Sequence, residues 1–124
     1  MKLLIFCLSI AMANISYAEL FIIAGTPQEF IPQGKLLLSG CAKQCDALNA
    51  IKEHPHINLK EVRKGMKYSN STGSDVCARV YKADSLLGQA QNRDRRAFCY
   101  FKDQSMVEMN SLSAHLIENK IVQE

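Results

Sequence analysis

Four cysteines constrain the fold of this chain more than any other feature. Cys41 and Cys45 lie close together in the first half of the sequence, and Cys77 and Cys99 lie in the second half. A fifth, Cys7, lies in an N-terminal segment that we expect to be removed. An even number of cysteines in a small chain that reaches an oxidising compartment is typical of two disulfide bonds. We therefore expect a disulfide-stabilised protein.

The N-terminal segment has the layout of a secretory signal peptide. Lys2 supplies a positive charge, the apolar run LLIFCLSIAMA follows, and small residues ending at Ala18 mark a cleavage site. The apolar run is too short to span a bilayer. We predict that residues 1–18 are a cleaved signal peptide, so that the mature chain, residues 19–124, is periplasmic or extracellular and has no transmembrane segment.

Composition and motifs argue against several classes of function. The formal net charge is only +3 at pH 7, which is too small to predict binding to nucleic acid or to an anionic membrane. No G-x-S-x-G, H-E-x-x-H or phosphate-binding loop sequence occurs. We predict no catalytic residue, no cofactor and no bound metal ion, and we expect that the protein is not an enzyme.

Composition alone leaves three ways to pair the four cysteines. Cys41 and Cys45 are four residues apart, and side chains at that spacing on a regular helix are too far apart for a disulfide unless the turn is distorted. Gly40 makes such a distortion possible. In the competing arrangement both cysteines bond to Cys77 and Cys99. We favour Cys77–Cys99 together with Cys41–Cys45.

The CAKQC stretch, residues 41–45, suggests two chemical hypotheses. With His54 and His56 the two cysteines form C-x3-C-x8-H-x-H, which contains ligands for zinc or copper but with histidines closer together than is usual. The stretch is also one residue longer than the redox motif C-x-x-C. A structural disulfide is favoured over both, and a thiol–disulfide or metal-handling protein that uses Cys41 and Cys45 remains the alternative.

Periodicity predicts short elements along the chain. In the N-terminal element, residues 19–68, we expect a strand at 20–24, a strand or irregular connection at 29–40, a helix at 41–53 and a short helix after Asn58. The polar stretch YSNSTGS, residues 68–74, marks a boundary, and a helix capped by Ser74 or Asp75 is expected beyond it.

The second region, residues 69–124, predicts a hairpin and a C-terminal helix. Residues 84–90 and 95–101 form the hairpin, and the alternation of RRAFCYF places Cys99 on one face and Phe98 on the other. Ser105 and Glu108 form a capping box, S-x-x-E, for a helix that follows. A strand at 106–109 is the alternative.

Arg93, Arg95 and Arg96 flank the turn of this hairpin. They are candidate partner-binding residues for an acidic partner or a phosphate-bearing surface. A solvated turn that protects the edge of a strand is the competing interpretation.

Residues 69–112 contain a polar turn that begins at Asn70, then Cys77, and then a C-x-F-x-D-x-S pattern that begins at Cys99. In these features the segment resembles a small exported bacterial domain family of unknown function that carries a haemolysin label. Gln104 stands where the family usually has glycine, and the proline of the turn is absent. The resemblance implies a Cys77–Cys99 bond, which supports the favoured pairing, and it implies no particular chemistry.

Together these observations predict a small single α+β domain with a β-hairpin and several short helices. We expect a non-enzymatic, inhibitor-like or protein-binding module whose partner is another exported or envelope protein.

Overall fold

The computed structural model describes residues 18–123. The predicted signal peptide therefore lies almost entirely outside the described residues. The strands are β1 (Glu19–Ile23), β2 (Thr26–Gln33), β3 (Leu36–Ser39), β4 (Ile57–Asn58), β5 (Asp84–Ala90), β6 (Arg95–Tyr100), β7 (Met106–Glu108) and β8 (Val122–Gln123). The helices are α1 (Asp46–Glu53), α2 (Leu59–Val62), α3 (Thr72–Arg79) and α4 (Met109–Glu118).

Six antiparallel strands form a closed barrel in the order β1-β2-β3-β7-β6-β5, and β5 pairs with β1 to complete it. The prediction of an α+β domain built on a two-stranded hairpin is therefore wrong. The hairpin itself exists as β5 and β6, but it forms only two of the six barrel strands. Outside the barrel, β4 and β8 form a short parallel pair.

The composition of β2 explains why the sequence pattern did not predict the barrel. β2 contains Pro27 and Pro32, and proline normally argues against a central strand because it has no N–H to donate. The pairing of β2 is staggered: residues 26–30 pair with β1, and residues 31–33 pair with β3. Each half of the strand therefore has a bonded neighbour on one side, which makes room for proline.

Three phenylalanines fill the barrel interior. Phe21, Phe30 and Phe98 are fully buried, and their ring centroids lie 5.0–5.2 Å apart. Such aromatic pairs stabilise by about 0.5–1.5 kcal/mol each beyond the burial of their area. The barrel is therefore a packed core.

Gly88 allows the barrel to close. A Cβ at this position would lie 2.8 Å from the carbonyl oxygen of Ile22 and 2.8 Å from Cγ1 of Ile23. Because the first of these atoms belongs to the backbone of β1, it cannot move without displacing the strand. Only glycine lets β5 approach β1 this closely.

Helices cover part of the outer surface of the barrel. Leu38, Val107 and Cys99 point outward and pack in one buried cluster with Leu112 and Leu116 of α4. The disulfide Cys77–Cys99 joins α3 to β6 within this cluster. The alternation predicted for RRAFCYF is confirmed, since Cys99 lies in the helix-covered cluster and Phe98 in the barrel interior.

Several element boundaries differ from the prediction. The helix expected at 41–53 begins at Asp46, and the helix expected after Ser74 or Asp75 is capped by Ser71 instead. The predicted capping box is wrong: residues 106–108 are strand β7, as the alternative proposed, and Glu108 is the N-cap of α4. The short helix capped by Asn58 is confirmed.

Candidate functional site

The outer surface of the barrel that the helices leave uncovered carries large apolar side chains. Leu20, Ile22, Ile31 and Leu87 are between 41% and 72% exposed. They lie on three adjacent strands, β1, β2 and β5. We call these four residues the open face. Contiguous exposed apolar surface of this kind is typical of interaction sites.

The register of the strands brings the open face together. Ile22 pairs with Gln89, so Leu87, two residues along β5, is its diagonal neighbour. Leu20 pairs with Glu29, and Ile31 lies two residues further along β2. Diagonal neighbours of this kind lie within reach of long side chains.

Arg95 borders the open face. It lines a shallow hollow of about 520 Å³ together with Ile22, Leu87 and the turn at Gly25. Arg95 is thus placed at the rim of an apolar surface. An acidic group on a partner would meet it there.

The other two arginines of the predicted cluster are placed differently. Arg93 is exposed in the turn, where it adopts a φ of 71°. Arg96 points toward the barrel interior, where Nη1 lies 3.7 Å from Oε2 of Glu108 and the guanidinium lies over the ring of Phe21. The structure therefore does not bring the three arginines together as one patch, and Arg96 is largely occupied within the fold.

The CAKQC stretch forms a bend that ends at the first turn of α1. Cys41 and Cys45 are bonded to each other with their Cα atoms 5.2 Å apart, in the pairing that the sequence favours. Cys45 is also the N-cap of α1, and its Sγ accepts a hydrogen bond from the Leu48 N–H at 3.4 Å. The bond therefore lies in the bend before the helix, which removes the spacing problem expected for two residues on a helix.

Side chains from a distant part of the chain bind two further N–H groups of this turn. The Asp46 N–H donates to Oδ2 of Asp103 at 2.8 Å, and the Ala47 N–H donates to Oγ of Ser105 at 3.1 Å. The Ser105 hydroxyl in turn donates to Oδ1 of Asp103 at 2.6 Å. Unbonded N–H groups at a helix start need such acceptors.

These contacts explain the ionisation of Asp103. Burial pushes the pKa of its carboxyl upward, but hydrogen bonds from the Ser105 hydroxyl and from the backbone N–H groups of Asp46 and Ser105 outweigh that effect and hold its pKa below the usual value. The carboxylate is thus stabilised in its charged form. Sequence reasoning missed this role because Asp46 lies 57 residues away from Asp103.

The two disulfides differ in burial. Cys77 is 1% exposed and Cys99 is fully buried. Cys45 is 5% exposed, but Cys41 is only half-buried. Cys41 is therefore the most exposed of these four cysteines.

A groove runs beside α1 and has a volume of about 490 Å³. Asp46, Glu53 and Asp84 line it, and Lys82 and Lys102 add charges of the opposite sign.

Tyr81, which also lines this groove, has a buried hydroxyl group with no hydrogen-bond partner among residues 18–123. Burial raises the pKa of the Tyr81 hydroxyl far above its usual value. The neutral hydroxyl is shielded from solvent, so it is not presented to a ligand in the groove.

The structure does not bring together the candidate metal ligands of the alternative hypothesis. The sulfur atoms of Cys41 and Cys45 are bonded to each other, and the His54 ring lies 5.8 Å from the ring of Tyr81. Within residues 18–123 no group of three or more histidine, cysteine or acidic side chains is close enough to hold a metal ion.

Fold and covalent framework together define a small, helix-covered, antiparallel β-barrel protein with two disulfides. Two disulfides fit an oxidising, non-cytoplasmic compartment. Across the described residues, no helix combines the length and the apolar character needed to cross a membrane. The chain matches none of the protein-family models, curated proteins or solved structures with which it was compared.

Proposed function

We propose that this protein is an exported, non-enzymatic binding module that uses the open face to bind another exported or envelope protein. The observation that carries the proposal is the unequal covering of the barrel. Helices bury the outer surface of β3, β7 and β6, whereas Leu20, Ile22, Ile31 and Leu87 stay exposed on the other strands.

The chemistry of the surface indicates the kind of partner. The apolar side chains favour an apolar patch on the partner, since burying each of them stabilises the complex. Arg95 at the rim, with Arg93 in the neighbouring turn, favours carboxylates beside that patch. The partner is therefore expected to present an apolar surface with an acidic border.

The local geometry at Gln104 supports a relation to the haemolysin-labelled family. Gln104 adopts a φ of 72°, a left-handed conformation that favours glycine, and it stands where that family usually has glycine. We extend the proposal to place residues 69–112 with that family.

Site-specific photocrosslinking tests the proposed interface. A photoreactive amino acid is placed at Leu87 on the open face and, as a matched control, at Ile117, which is 56% exposed on α4. In the native host we expect a discrete adduct with another protein from Leu87 and none from Ile117. Arg95→Glu should weaken that adduct, because it reverses the charge at the rim.

Other outcomes count against the proposal. An adduct of twice the mass of the mature chain would identify a second copy as the occupant. Equal crosslinking from Leu87 and Ile117, or none from Leu87, would show that the open face binds no specific partner.

A further inference from the structure

We infer that Cys41–Cys45 is a thiol–disulfide exchange site for a protein dithiol, whereas Cys77–Cys99 is a permanent structural bond. The inference is independent of the open face, because the open face lies on β1, β2 and β5 whereas Cys41 and Cys45 lie in the bend before α1. It rests on the unequal exposure of the two bonds and on the placement of Cys45 at the start of α1.

Exposure determines which sulfur can be attacked. Cys41 is half-buried in the bend, whereas Cys45 is 5% exposed. Exchange requires a thiolate to reach a sulfur of the disulfide. An incoming thiolate therefore attacks Cys41.

The helix start stabilises the leaving group. When the bond breaks, its electron pair goes to Sγ of Cys45, which already accepts a hydrogen bond from the Leu48 N–H. The Asp103 carboxylate already binds the Asp46 N–H of this helix start, so the stabilisation of the Cys45 thiolate comes from the Leu48 N–H. A stabilised leaving thiolate departs faster.

A dithiol supplies both the electrons and the protons that reduction of the Cys41–Cys45 bond requires. The first sulfur of the dithiol bonds to Cys41 while the Cys41–Cys45 bond breaks. The second sulfur then attacks the first, forms the disulfide of the oxidised reductant and releases Cys41. Two protons from the dithiol end on Cys41 and Cys45. The protein gains two thiols, and the reductant loses two.

The fold does not need the exchanged bond to hold α1 in place. Asp103 and Ser105 continue to accept from the N–H groups of Asp46 and Ala47 after reduction. Reduction therefore proceeds without unfolding.

Cys45 belongs to the same buried cluster as Cys77 and Cys99, but Cys41 is half-buried. Cys77 and Cys99 are 1% exposed or less, so their bond becomes accessible only when the fold opens.

Reduction kinetics of the folded wild-type protein test the inference. The oxidised protein is incubated with dithiothreitol under native conditions, the free thiols are alkylated at intervals, and each bond is quantified by peptide mass spectrometry. We expect Cys41–Cys45 to be reduced on the order of 100-fold faster than Cys77–Cys99. Equal rates, or faster loss of Cys77–Cys99, would overturn the inference.

A matched pair of variants tests which sulfur is attacked. Cys45→Ser leaves Cys41 free and keeps a good N-cap on α1, and Cys41→Ser leaves Cys45 free. At a pH above both thiol pKa values, where the two cysteines no longer differ in ionisation, oxidised glutathione should form the mixed disulfide with Cys41 in the first variant about 10-fold faster than with Cys45 in the second. The reverse order would overturn the assignment of Cys41.

A trapping experiment tests the class of reductant. Thioredoxin that lacks its resolving cysteine is mixed with the oxidised wild-type protein. A stable mixed disulfide at Cys41 is expected. If dithiothreitol reduces the bond but thioredoxin traps no complex, the site does not accept a protein dithiol and the inference fails.

Discussion

Ser105→Ala is expected to destabilise the protein through α1, although the two residues belong to distant parts of the chain. Ser105 is fully buried, and its hydroxyl accepts from the Ala47 N–H at 3.1 Å while donating to Asp103 at 2.6 Å. Alanine removes both bonds. The Ala47 N–H is also buried, because Ala47 is fully buried, and it would be left without an acceptor.

The magnitude follows from these two losses. A buried donor left unbonded costs about 1–3 kcal/mol, and a hydrogen bond to a charged group contributes about 1.5–3 kcal/mol. Asp103 keeps its bonds from the Asp46 and Ser105 N–H groups, which moderates the second loss. We expect the free energy of unfolding to fall by about 2–3 kcal/mol, and the melting temperature by roughly 10–20 °C.

Urea unfolding followed by circular dichroism, with both disulfides intact, measures the change. Ser71→Ala is the matched control, because Ser71 caps α3 by accepting from the Ser74 N–H at 3.2 Å but is exposed; it should cost about 1 kcal/mol. Hydrogen exchange at the Ala47 amide should also be faster in Ser105→Ala. A loss below about 0.5 kcal/mol, or one no larger than that of Ser71→Ala, would refute this account of the Ser105 contacts.

Three further substitutions test the closure of the barrel, the cap of α4 and the charge of Asp103. Gly88→Ala should lower the free energy of unfolding by about 1–3 kcal/mol, because its Cβ would meet the Ile22 carbonyl at 2.8 Å. Glu108→Ala should cost about 2–4 kcal/mol in urea unfolding, since this 2% exposed carboxylate caps α4 and faces Arg96. Asp103→Asn should remove part of the acid sensitivity of unfolding: the pKa of Asp103 is lowered in the folded protein, so its stabilisation is full above about pH 4 and is lost as the pH falls through the folded pKa.

Each of these expectations has a contrary result. Unchanged stability of Gly88→Ala would mean that β5 does not approach β1 as closely as described. A cost below about 1 kcal/mol for Glu108→Ala would indicate a simple exposed cap. If wild type and Asp103→Asn lose stability in parallel as the pH falls below about 4, Asp103 is not the group that titrates.

Local patterns were sufficient for the features that depend on neighbouring residues. The hairpin of β5 and β6 follows from two apolar runs joined by a polar turn, and the alternation in RRAFCYF follows from the two-residue period of a strand. The short helix capped by Asn58 follows from a side chain that bonds an N–H three residues later. In each case the interacting groups lie within one element or one turn.

The same local reasoning failed at Ser105. The S-x-x-E pattern is a valid helix-start signal, but here the serine hydroxyl is used by Ala47 and the glutamate alone caps α4. A short motif states which bonds a side chain can make. It does not state which acceptor or donor the rest of the fold will bring closer.

The sequence by itself determined the hairpin and the inward and outward faces of β6, and among three possible disulfide pairings it favoured the one that the structure has. Only the tertiary structure decided that β1, β2 and β3 join that hairpin in a closed barrel, that Asp103 and Ser105 hold the start of α1, and that one outer surface stays uncovered. These features depend on contacts between residues far apart in the chain. Their stabilisation comes from closing the barrel and from burying side chains of distant segments together, and local sequence periodicity does not indicate either.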